Sequence, residues 1–154
     1  MMRWSVTMIL ATFLFINSMA HSNDLDEVRL NYSKCINDKN LCRKLMDELE
    51  KSKNISATHL GYFGGLHAIW ANHVFNPIAK LNTFKDGRRM IEDAIRKEPR
   101  NSELRLIRLS IQKNAPSFLG YKSNIKEDED FIRANHQKFD SETLLKNADA
   151  LLKN

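Results

Sequence analysis

Two cysteines, three prolines and five glycines are all that this chain of 154 residues has in the way of covalent staples and backbone punctuation. A framework of disulfides is therefore excluded, and with no C-x-x-C and no second ligand pair, zinc-finger and dithiol redox chemistry lack their ligands. No segment sustains the apolar-polar alternation of a half-buried strand, which leaves an all-α fold. There is no dense run of Lys and Arg and no aromatic stripe threaded through one, so no nucleic-acid surface is expected. Past residue 20 no apolar run approaches the length needed to cross a bilayer, so no membrane insertion is expected of the mature chain. The charge that is present is mixed, 24 basic against 19 acidic side chains, net +5. That mild excess keeps a protein soluble and favours an acidic partner, such as an envelope polymer or protein surface.

The first residues are unlike the rest. Arg3 precedes a mostly apolar stretch, Val6 to Ile16, and Ser18-Met19-Ala20 places small residues where a signal peptidase reads. The stretch is short for a membrane span, and no cysteine follows it to take a lipid. Residues 1–20 are expected to be a cleaved signal peptide, and 21–154 a single helical domain in a periplasmic or secreted location.

Export bears on the two cysteines, Cys35 and Cys42. On one continuous helix they would stand about 10 Å apart along the axis, beyond disulfide reach. Asn37-Asp38-Lys39-Asn40 between them is a cluster of turn and capping residues, so Cys35 can close one helix and Cys42 open the next. A disulfide across that turn is expected in preference to two reduced, core-facing thiols.

Apolar residues recur at helical spacing through most of the chain. Leu25, Val28, Tyr32, Cys35 and Ile36 form one stripe, and Leu41, Cys42, Leu45, Met46 and Leu49 a second. Ser56 caps a segment from Ala57 to Phe75 in which Gly61, Gly64, Gly65, Ala68 and Ala71 keep one face small. Glycine inside a helix costs up to about 1 kcal/mol, so three of them imply a closely approaching neighbour. Pro77 suits the first turn of a helix running to about Lys97, with a break expected near Asn82-Thr83. Further helices follow Ser102, Asn124 and Asp140-Ser141, and the apolar loop from Pro116 to Ser123 is expected to pack down. The total is six to seven helices arranged as stacked hairpins.

Gly87, Ile91, Ala94 and Pro99 stand at the spacing of the second helix of a tetratricopeptide repeat, and the run from Ala94 to Glu103 resembles the joint between two such repeats. Counting back from Pro99, the first-helix positions fall on Ala71, Val74, Phe75 and Ile78 instead of the usual Trp, Leu, Gly and Tyr. The signature occurs once. The block from Asn72 to Tyr121 also resembles uncharacterised exported proteins of Bacteroidota, a resemblance that carries no activity. What the repeat family implies is a stack of helix pairs with a concave face that binds a protein or peptide.

Candidate chemistry is sparse. His59, His67 and His73 stand eight and six residues apart, not at the three or four that places two ligands on one helical face, so no metal or cofactor is expected. Glu127, Asp128, Glu129 and Asp130 lack the glycine and alternating oxygens of a calcium loop and are expected to be a solvated helix start. Arg105, Arg108 and Gln112 share one helical face, which either grips carboxylates of a partner or pairs internally. Asn72, Asn76 and Tyr121 extend the candidate partner surface. Asn31-Tyr32-Ser33 and Asn54-Ile55-Ser56 match glycosylation sequons. The reading these residues support is an exported, non-enzymatic helical-repeat module that binds a protein or envelope component through a helical face. The alternative is a small-ligand-binding or enzyme-associated domain using His67, His73, Arg105 and Arg108.

Overall fold

Seven α-helices and no strand make up the described residues of the computed structural model, which are 23–52 and 56–153. The leader reading and the Asn54 sequon fall outside them. The helices are α1 (Asn23–Asn31), α2 (Lys39–Lys51), α3 (Ala57–Trp70), α4 (Pro77–Lys97), α5 (Ser102–Asn114), α6 (Ile125–Ala134) and α7 (Glu142–Lys153). Short 3-10 turns at Tyr32–Ile36, Ala71–His73, Ser117–Leu119 and His136–Lys138 link them. Four helix starts, those of α2, α3, α4 and α5, follow side-chain caps that satisfy the first free N–H groups. Asp38 accepts from Leu41 N, Ser56 from His59 N, Asn76 from Ile78 N and Ala79 N, and Asn101 from Glu103 N and Leu104 N.

α3 lies against α4 more extensively than any other pair of elements in contact. The reason is the glycines. A Cβ built on Gly87 would stand 2.5 Å from the Gly64 carbonyl oxygen and 2.6 Å from Ala68 N, and one on Gly64 would stand 2.7 Å from the Gly87 carbonyl oxygen. Backbone meets backbone here, which no side chain would permit. Ile91 and Ala94, farther along α4, are fully buried.

Around this pair the first five helices and the turns between them build the main apolar core, with Val28, Leu45, Leu66, Ile91 and Leu104 inaccessible to solvent. A second, smaller core lies on the other side of α5, where Leu106 and Leu109 meet Ile132, Phe139, Leu144 and Ala148. α5 therefore has two buried faces, and eight of its thirteen residues are buried.

Several local expectations are corrected. α4 runs unbroken through Asn82-Thr83, and α3 gives way to a 3-10 turn after Trp70 instead of continuing to Phe75. In the 116–123 loop Tyr121 is buried but Phe118 is exposed; Gly120, at φ 61°, turns the chain between them. Cys35 and Cys42 are buried free thiols, not a disulfide. Cys35 lies in the 3-10 turn and its thiol is aimed at Asn31 O (3.6 Å), whereas the Cys42 thiol is aimed at Leu66 O on α3 (3.7 Å). The neighbouring thiol holds Cys35 below its ordinary range and, together with burial, pushes Cys42 up.

Candidate functional site

The arginine face, for which gripping a partner's carboxylates and internal pairing were both open, is turned inward. Arg108 is buried and makes a two-pronged contact with the carboxylate of Asp128, Nε to Oδ2 at 2.7 Å and Nη2 to Oδ1 at 2.6 Å, while its Nη1 reaches Glu92 at 3.0 Å. Arg105 donates to Glu127 (2.7 Å), Asp128 (3.1 Å) and the Pro99 carbonyl (3.2 Å). Gln112 is inaccessible to solvent and its Nε2 is 3.4 Å from Asn124 Oδ1. Tyr121 donates to the other oxygen of Glu92 at 2.7 Å. Four of the sequence-selected groups thus sit in or beside one polar layer between α4, α5 and α6. Asp128, in the run expected to be solvated, is its buried centre. The desolvated Arg108 guanidinium remains charged because Asp128 and Glu92 face it, and Glu127 is held below the usual carboxylate range by hydrogen bonds from Asn124 and Arg105.

A second buried carboxylate was not singled out by the sequence. Glu103 on α5 accepts from Arg29 through both oxygens (2.6 and 2.9 Å) and from the Tyr62 hydroxyl (2.7 Å), joining α1, α3 and α5. Burial and the neighbouring Glu103 push the Tyr62 phenol well up. The only signal for it lay in Glu103 being the acidic residue in the first turn of α5.

The histidines are dispersed. His59 contacts its own cap, Ser56 Oγ (2.8 Å), His67 stacks edge-on against Phe63, and His73 Nε2 is 2.9 Å from Cys35 O. Among the described residues no group of His, Cys, Asp and Glu is arranged to hold a metal ion, and no helix is long and apolar enough to cross a membrane. The amide of Asn31, in the first sequon, is tied to Glu27 O at 3.0 Å.

What the sequence did not show is a cleft of about 630 Å³. Tyr32 and Ile36 of the first 3-10 turn, Ile69 of α3, Phe84 of α4 and Ile107 of α5 give it apolar walls, and α7 closes one side with Leu151. The cavity is within the range of pockets that take drug-sized molecules, and its lining is mainly apolar, as theirs is. Six large hydrophobic side chains are exposed among the described residues, and three of them, Ile36, Leu81 and Phe118, line this cleft. Two more, Phe75 and Ile78, flank Pro77, which also lines it. Of the sequence-selected residues only Asn72 is on the cleft; Asn76 caps α4 beside it, and Arg105, Arg108, His67 and His73 are elsewhere. No family model matches the chain, and comparisons with curated proteins and with solved structures give no match.

Proposed function

We propose that this chain is an exported, non-enzymatic binding module whose ligand enters the cleft between the first 3-10 turn, α4, α5 and α7. The observation that carries this reading is a coincidence of place: a mainly apolar cavity of ligand size lies where the exposed Ile36, Leu81 and Phe118 converge. Exposed apolar side chains scattered singly need no explanation, but grouped around a concavity they favour removal from water by a ligand. The buried polar layer around Asp128 has a sufficient structural role and offers no free arginine fork. Ligand binding in the cleft is therefore favoured over capture of a partner through the arginine face.

A neutral apolar fluorophore, N-phenyl-1-naphthylamine, tests the reading. It should bind saturably with a blue-shifted emission, and Ser33→Trp, which adds bulk to an exposed residue of the cleft wall, should abolish binding without lowering the thermal midpoint. Binding that ignores Ser33→Trp, or no saturable binding, rejects the cleft.

A further inference from the structure

Among the described residues that line the cleft, Lys80 is the one cation, and neither Asp nor Glu is among them. Lys80 is exposed, on the first turn of α4, and its ammonium has no ion-pair partner among the described residues. That first turn contains no acidic residue, and the first one along α4, Asp86, is paired with Arg89 at 3.1 Å. Pro77, at the start of the same helix, also lines the cleft. An uncompensated ammonium thus lines an apolar cavity, on a helix whose first N–H groups are already taken up by the Asn76 cap. The remaining polar lining, such as Ser33, Asn72, Asn114 and Asn147, is neutral.

We propose that the ligand of this cleft is a single-chain anionic amphiphile, an acyl chain ending in a carboxylate, with the tail along Tyr32, Phe84 and Ile107 and the carboxylate at Lys80. This rests on the reading of the cleft as a binding site and specifies its ligand class. The tail is held by removal of apolar surface from water, which is non-directional, so chain length is set by the depth of the cavity. The head selects by charge. An ammonium there would meet Lys80 with the same sign, and a hydroxyl would gain no such attraction.

Titration calorimetry with decanoate, decanol and decyltrimethylammonium, each below its micelle concentration, separates head from tail. Decanoate should bind about threefold tighter than decanol and about tenfold tighter than the cation, differences expected of one partly exposed charge contact. Lys80→Glu should reverse the order of decanoate and decyltrimethylammonium and leave decanol unchanged. If Lys80→Glu leaves the ratio of anion to cation where it was while Ser33→Trp still blocks decanol, the head has been misplaced and the cleft stands. If Ser33→Trp leaves decanol binding intact, or none of the three probes binds, the cleft reading fails and this proposal fails with it.

Discussion

The two seams of this molecule are built on opposite principles. Between α3 and α4 the backbones touch through Gly64 and Gly87, with no polar side chain needed. Between α5 and α6, Arg108 and Arg105 converge on Asp128, which is inaccessible to solvent, with Glu92 joining from α4. The first seam is held by shape and is intolerant of added volume. The second is held by charge and is intolerant of losing one partner, because a buried ion left alone keeps its desolvation cost without its compensation.

Breaking the charged seam should have the largest effect. Asp128→Ala leaves the buried Arg108 with Glu92 and a long contact to Glu127 at 3.9 Å, and should lower stability by about 3–5 kcal/mol in chemical denaturation. Arg108→Leu with Asp128→Leu sharpens the point: the double variant should recover much of that loss, since an apolar pair of similar volume often equals a buried ion pair. A double variant less stable than Asp128→Ala alone would mean that the seam needs its charges.

The glycine seam comes next. Gly87→Ala should cost about 1–3 kcal/mol, because its methyl would meet backbone atoms on α3 that can move only with the helix. Gly61→Ala is the control. Its methyl would meet the Leu104 side chain, which can rotate away, so the loss should be smaller despite a similar starting distance of 2.4 Å. Equal losses at Gly61 and Gly87 would contradict the distinction between flexible and rigid neighbours.

Arg105→Ala should cost about 1–1.5 kcal/mol, less than Asp128→Ala, since Arg108 continues to pair with Asp128 when Arg105 is gone. Urea unfolding of both variants ranks them directly. The smallest effect concerns pH. Burial holds the His67 imidazole below its ordinary value, so the unfolded chain binds this proton first as pH falls. Stability should therefore decline below about pH 6.5, the unperturbed histidine value, and His67→Gln should flatten that decline. An unchanged slope would place the titration elsewhere.

The elements were legible because their signals are local. Ser56, Asn76 and Pro77 mark helix starts in the chain itself, and the glycines of 61–65 announced a close neighbour before that neighbour was known to be α4. A shift of one residue, Asn101 capping in place of Ser102, reflects competition between adjacent side chains of similar capping ability. Leu104, Ile107, Leu109 and Ile111 marked apolar positions on α5, but did not reveal two separate cores, one on each side.

By itself the sequence determined the all-helical class, the order of the helices and most of their ends, since period and capping act over a few residues. Tertiary structure alone decided which acid faces Arg108. The chain offers Glu127, Asp128, Glu129 and Asp130 in one run, and the rotation of α6 about its axis turns Asp128 inward. It also decided the cleft, whose walls come from segments as far apart as Tyr32 and Leu151. A concavity belongs to the spaces between helices, and no residue pattern along one helix encodes a space that several must enclose.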